Sequence, residues 1–458
     1  MYEIDFNHPI RVHFLGIGGI SMSGLARILM SEGFTVSGSD MKDSELTNEL
    51  KSLGAQIYIG QKAENITDDI DLAVYTAAIS DDNPEMTEVR RRGIAELSRA
   101  QLLGQLMRNY KIPIAIAGTH GKTTTSSMVS EILLHAKLDP TITVGGMLKS
   151  IGGNLRIGGG EYFVAEACEY TNSFLSFFPR MEIILNIEED HLDFFKDIED
   201  IRASFKKFMD LLPDDGCLII NGSIDRLNAL TKDVRCPIVT FGPDASSDYH
   251  PADISFDENG RARYFCCHGS DKFEVDLGVV GIHNVYNSLA AIALCERLGV
   301  DRSMILSALR DFTGTDRRFE KKGTLHGITI LDDYAHHPTE IAATLAAARN
   351  YPHKKLYLVF QPHTYSRTKA FLHEFADALS AADEVILTDI YAAREKNTIG
   401  ISSEDLLKIM LDKGVNARYY KYFDDVETYL LGACESGDLI MTMGAGDVYR
   451  IGEKLLGK

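Results

Sequence analysis

The sequence of 458 residues has no run of about 18 consecutive apolar residues, so no membrane-spanning helix is expected. The first ten residues lack a basic leader and an apolar stretch and carry Glu3, Asp5, His8 and Pro9 instead, which argues against a signal peptide. Positive charge is also short. A formal net charge of -19 disfavours nucleic acid or an anionic membrane as the main partner, because both select a surplus of Lys and Arg. The seven cysteines, at 168, 217, 236, 266, 267, 295 and 434, form no CxxC pair and are odd in number. Neither a disulfide framework nor a thiolate zinc site is indicated, and reduced thiols in a cytoplasmic protein fit best. No tract is biased enough to suggest disorder.

What is present is an ordinary globular composition, 45% hydrophobic and 25% charged, in a chain too long for one core. Three times an apolar strand-like run leads through a glycine-marked turn into a helical pattern: from residues 11–16, from 112–117 and from 327–332. Further strands are predicted at 34–38, 72–76, 162–165, 183–187, 218–221, 357–360, 385–388 and 439–443. Strands alternating with helices imply an α/β protein with mainly parallel sheets. The predicted division is a Rossmann-like domain over 1–107, a P-loop ATPase domain over 108–314 and a second Rossmann-like domain over 315–458.

The strongest motif is Gly118-Thr119-His120-Gly121-Lys122-Thr123, between a buried strand and a helix. Such a turn wraps backbone N–H groups around phosphate; Lys122 would reach the terminal phosphates and Thr123 would hold magnesium. Ile116 stands where the general P-loop has its first glycine, so the loop is a shorter variant. Residues 16–21, GIGGIS, resemble a dinucleotide fingerprint, with Asp40 placed to meet a ribose and Ser21 in place of the third glycine. NAD or the diphosphate of a nucleotide sugar would satisfy the same N–H groups. Glu166, Glu169, Asp190 and His191 all follow predicted strands, at the sheet edge where ligands bind, and suit a metal beside the loop. His191 is equally a metal ligand or a loop residue on this reading. Arg317 and Arg318 at the second boundary suit a γ-phosphate contact. Two polar clusters, 332–338 and 361–367, suit substrate or nucleotide loops. Zinc at His336-His337 is disfavoured, because adjacent histidines on a turn diverge and no HExxH spacing accompanies them.

Together, GIGGIS at 16–21, NPE at 83–85, GTHGKTTT at 118–125, EACEYTNSFL at 166–175, NIEEDHLD at 186–193, GIHNVYN at 281–287, DDYAHHPTE at 332–340 and FQPHTYSRT at 360–368 resemble the Mur ligases. Within that family the GIGG form of the first loop is most similar to members that join L-alanine to UDP-N-acetylmuramate. The resemblance implies that Gly16, Gly18, Gly19, Ser21 and Asp40 serve the UDP-sugar. It implies ATP at Gly118, Thr119, His120, Gly121, Lys122, Thr123 and Thr124, with His283, Asn284 and Asn287 near adenine and Asp333 near the nucleotide. Thr123, Glu166 and His191 would hold Mg2+, Arg318 would face the γ-phosphate, and His363 and Arg367 the incoming alanine. Lys122, Glu166, His191 and Arg318 would carry the chemistry, in a cytoplasmic monomer or weak homo-oligomer that helps build peptidoglycan. Lys206 is expected to remain unmodified. Alternatives are a ligase adding a whole tripeptide to the same sugar and, from another class, an NAD-dependent oxidoreductase, which leaves GTHGKT unexplained.

Overall fold

The computed structural model describes residues 2–76, 78–393 and 395–458. The described residues form three separate β-sheets, of five, ten and six strands. The first is wholly parallel, in the order Gln56–Ile59, Thr35–Asp40, Arg11–Leu15, Leu72–Tyr75 and Ala95–Ser98. Its order reverses at Arg11–Leu15, so the loop from Gly16 to Gly19 opens at the switch point where doubly wound sheets bind ligands.

In the second sheet, Ile112–Ala117 lies between Tyr162–Glu166 and Met181–Ile184, both parallel to it. Register places Ile116 opposite Glu166, and Ala117 opposite Ile184. The three segments that follow these strands therefore leave the same edge side by side. That is how residues far apart in sequence come to share one site. In the third sheet the antiparallel edge strand Glu320–Leu325 precedes Ile328–Asp333, Leu439–Met443, Leu356–Phe360, Glu384–Leu387 and Ala417–Tyr419, all parallel.

The central sheet departs from the βα expectation at both ends: Thr141–Leu148 and Gly153–Arg156 form an antiparallel hairpin at one, and Tyr249–Phe256, Arg261–His268 and Asp271–Val280 an antiparallel meander at the other. The meander's cause is a period-two pattern: Ala262, Tyr264 and Cys266 are buried while Arg261 and Arg263 are exposed. Tyr264 is held by Ser288 of the helix Ile282–Arg297, 2.7 Å between the hydroxyls. One apolar cluster runs from Val12 and Leu29 of the first unit to Phe174, Phe205 and Phe208 of the central one. Gly104 permits that packing, since a Cβ there would lie 1.8 Å from the Ser176 carbonyl oxygen. Among the described residues no helix is long and apolar enough to cross a membrane.

Glu182 sits within the strand Met181–Ile184, in register with Ala115 and Leu218, wholly buried and with neither carboxylate oxygen hydrogen-bonded among the described residues. Burial, and then the charge of Asp210, push its pKa well above the ordinary glutamate range. The folded state thus keeps a proton that the unfolded chain releases near its usual pKa of about 4.5. Its stabilising contribution is complete below that value and declines as pH rises toward the folded pKa. Glu182→Met, close in volume, is expected to stabilise the chain by about 1–3 kcal/mol at neutral pH. Chemical denaturation checks it, and the gain should shrink as the pH approaches about 4.5.

Candidate active site

The loop after Ile112–Ala117 turns through Gly118 (φ 143°) and Gly121 (φ 84°) into the helix Lys122–His135. Both glycines are required twice over. Their φ angles are unfavourable for other residues, and added Cβ atoms would lie 2.9 Å from Leu185 and 2.7 Å from the Asn287 amide oxygen. The first turn of this 14-residue helix supplies unpaired N–H groups and the positive dipole end. Lys122 folds back across the loop: its Nζ donates to the carbonyls of Gly118 at 2.5 Å and Thr119 at 3.0 Å and pairs with Glu169 at 3.0 Å. Burial opposes the ammonium charge, but the carboxylates of Glu169 and Glu166 hold its pKa above the usual lysine value.

Thr123 donates from Oγ1 to Glu166 at 2.9 Å, and the Gly145 amide donates to the same carboxylate oxygen at 2.8 Å. A hydroxyl and a carboxylate thus face each other beside the loop, a hard-oxygen pair that suits Mg2+. His191, in a left-handed conformation (φ 53°), stacks on Tyr170 and stands 3.8 Å from Glu169 Oε1. The carboxylate between Lys122 and His191 is therefore Glu169, which the motif reading offered as a metal-binding group beside the loop and which here pairs with the lysine.

A cleft of about 690 Å³ opens beside the loop, between the central and third sheets. His120, Gly121, Thr124, His283, Asn284 and Asn287 line it from the central unit, and Arg318 and Asp333 from the third. His283 is neutral: burial and then the nearby Arg318 push its pKa down to about 4. Asp333 is shifted the other way, up to about 6, by burial that outweighs Arg318 and the amides of Ala335 and Phe319 that it accepts from. Arg317 and Arg318 part company here. Arg317, left-handed at φ 62°, turns its guanidinium onto Asp332 and the carbonyls of Gly444 and Gly446, whereas Arg318 faces the cleft, 3.9 Å from Glu340. The expectation of a γ-phosphate contact thus narrows to Arg318.

In the first unit, Gly16 (φ 82°) and Ile17 donate their amides to the Ser39 carbonyl, and Gly18 donates to Asp40 Oδ2 at 2.9 Å. Asp40 therefore closes on the loop itself, while Gly19 and Ser21 lie exposed at its mouth. Beneath it, buried Glu85 accepts from Ser39 and Asn65, both at 2.5 Å. Asn83 caps the helix Pro84–Arg92. The NPE motif is thus the floor of the loop.

Family models match along the whole chain: the Mur ligase family catalytic domain over residues 11–111, the Mur ligase middle domain over 116–295 and the Mur ligase glutamate ligase domain over 317–446. The UDP-N-acetylmuramate–L-alanine ligases of Lachnospira eligens and Agathobacter rectalis are 60% and 59% identical, each over 100% of both chains. The chain belongs to the Mur ligase family. Among solved structures, the UDP-N-acetylmuramate–alanine ligase of Thermotoga maritima is similar at TM-score 0.81 and 30% identity over 98% of both chains. The murein peptide ligase of Psychrobacter arcticus is similar at 0.72 and 26%, again over 98% of both.

In this Mur ligase the two residues expected near alanine stand outside the nucleotide cleft. Arg367 donates from Nε and Nη2 to Asp190 Oδ1, at 3.1 and 2.8 Å, and from Nη1 to His363 Nδ1 at 3.1 Å. The pairing holds Asp190 well below the ordinary carboxylate range despite its burial. His363 is kept neutral, its pKa pushed down to about 4 by burial and then by Arg367. Lys206 points away, to a surface ion pair with Asp233. Sequence reasoning missed Asn186, whose side chain accepts from the His120 amide at 2.8 Å and donates to its carbonyl at 3.1 Å. It also missed Glu340, whose carboxylate stands 3.3 Å from His120 Nδ1. Burial opposes a charge on His120, but Glu188 and Glu340 on either side raise its pKa to about 9. Position within the quoted motifs was the available signal for both.

Proposed function

We infer that this Mur ligase joins L-alanine to the carboxylate of UDP-N-acetylmuramate at the expense of ATP, an early step of peptidoglycan synthesis. The observation that carries the reading is end-to-end similarity to L-alanine ligases at 59–60% identity, in a chain whose phosphate loop, Lys122 and Glu166 converge on one sheet edge. A carboxylate is a poor electrophile at neutral pH, so it must first gain a leaving group. Its oxygen attacks the γ-phosphorus of ATP, the bond from phosphorus to the β–γ bridging oxygen breaks, and ADP leaves. The alanine amine then adds to the acyl carbon of the acyl phosphate. Collapse of that tetrahedral species releases inorganic phosphate and a proton and leaves the amide.

In this reading Lys122 exchanges the Gly118 and Thr119 carbonyls for the β and γ phosphates and offsets the charge of two approaching anions. The loop amides hold the nucleotide, His283, Asn284 and Asn287 border the adenine, and Asp333 the nucleotide's far side. Arg318 reaches the γ-phosphate from the third unit. Thr123 and Glu166, with His191 facing the same space, would hold Mg2+, which supplies charge neutralisation at the phosphates when bound. The first unit takes the UDP-sugar on its glycine loop, where a diphosphate would displace Asp40 from the Gly18 amide. Arg367 and neutral His363 receive the alanine carboxylate in competition with Asp190. The reaction belongs in the cytoplasm, where its nucleotide substrates are.

ADP release measured with UDP-N-acetylmuramate and either L-alanine or the tripeptide decides the acceptor. Turnover is expected with L-alanine and to require both co-substrates. Turnover with the tripeptide alone would show the recycling specificity instead.

A further inference from the structure

His120, Glu188 and His337 meet where the phosphate loop faces the third unit, and one ligating atom of each lies within 4.8 Å of the others. His120 and Glu188 follow adjacent strands of the central sheet, whereas His337 is the N-cap of the helix Pro338–Arg349. Their ring nitrogens are already sorted. His120 Nδ1 stands 3.3 Å from Glu340 Oε1, while its Nε2 is buried, without a hydrogen-bond partner among the described residues, 3.5 Å from Glu188 Oε2. His337 Nε2 lies 3.1 Å from the Glu189 carbonyl oxygen and so carries the hydrogen there, which leaves Nδ1 with its lone pair and only a distant amide, Thr339 N at 3.4 Å. Thr339 Oγ1 donates to Glu188 at 3.0 Å. His120 thus has one nitrogen toward the outer carboxylate of Glu340 and the other toward Glu188, His337 has one toward a carbonyl and the other nearly free, and Glu188 is steadied by a hydroxyl, so each imidazole is oriented from behind as metal-binding histidines are.

We propose that His120, Glu188 and His337 form a binding site for a transition-metal ion of the zinc class, distinct from the oxygen site of Thr123 and Glu166. Two imidazoles and one carboxylate select Zn2+ or Co2+ over Mg2+, and three protein ligands leave a position open to water or to a phosphate oxygen in the cleft. Because the ligands come from two units, the ion ties the phosphate loop to the third sheet and opposes nucleotide exchange. His336 takes no part, so the argument that adjacent histidines diverge holds; the missing ligands came from two other loops.

The test titrates Zn2+ into the metal-free full chain against a chromophoric chelator, with Mg2+ in large excess, and records the visible spectrum of the Co2+ form. One tight ion per chain is expected, with the intense bands of four-coordinate cobalt. Glu188→Gln and His337→Gln are each expected to weaken binding at least about tenfold. His326→Gln, at an exposed position, should leave it unchanged. Unchanged affinity in Glu188→Gln, or a weak six-coordinate cobalt spectrum, would overturn the proposal; Glu188 is partly exposed, so its variant decides even if His337→Gln does not fold. A second arm rests on the ligase reading: Zn2+ should slow ADP release, and Glu188→Gln should relieve that inhibition in step with its lost affinity. Equal inhibition of both proteins would place the inhibiting ion elsewhere and reject the regulatory half, while the binding arm stands apart from the ligase reading.

Discussion

Lys122→Ala is expected to lower ligation by at least about a thousandfold while calorimetry still shows UDP-sugar binding to the folded variant. The size of the effect follows from its position. Lys122 is the cation that the loop itself holds across its own carbonyls, and the proposed reaction brings a carboxylate up to a triphosphate there. The glycine loop proposed for the sugar lies on another sheet, so sugar binding should persist; its loss would count against the division of labour. The substitution also strands Glu169, whose side chain is 3% exposed and loses its counter-charge. A buried pair broken on one side costs about 3–5 kcal/mol. Lys122→Ala with Glu169→Gln should therefore recover thermal stability and not turnover, separating the electrostatic role from the structural one.

Arg317→Ala is expected to destabilise the third unit by about 3–5 kcal/mol in denaturant unfolding. The guanidinium joins Asp332, whose side chain is 0% exposed, at 2.9 Å to the carbonyls of Gly444 and Gly446, and so ties the entry of the unit to its last strand and the loop that follows. Among the described residues Thr442 would then remain to satisfy the Asp332 carboxylate, through a 2.6 Å hydrogen bond. Its neighbour should behave oppositely. Arg318→Ala is expected to change stability by less than about 0.5 kcal/mol and to cut kcat/KM for ATP about a hundredfold. Equal stability losses in the two variants would contradict the division of labour that the backbone imposes at residues 317–319.

Much of the architecture was legible because strand, glycine turn and helix recur where buried parallel strands need them. The start at Ile112–Ala117 appears in the structure as read, Arg11–Leu15 ends one residue short of the expected 11–16, and Ile328–Asp333 is displaced by one residue. The meander over residues 249–280 carries a period-two signal of its own in Arg261–His268 and in the second half of Asp271–Val280, but the strand that opens it, Tyr249–Phe256, is too exposed to read as a strand from polarity alone. Glu182 could not be anticipated: one carboxylate in an apolar tetrapeptide reads as a surface position until both faces of the sheet are covered.

The phosphate loop, its lysine and the order of the three units were determined by the sequence alone, because glycine conformation, helix start and strand period are local properties. Tertiary structure decided which charges meet. It gave Glu169 to Lys122, Asp190 to Arg367 and Asp332 to Arg317, and it brought His120, Glu188 and His337 together from two units. Such ion pairs join residues from 15 to 177 positions apart and depend on strand order and register, and no spacing along the chain encodes them.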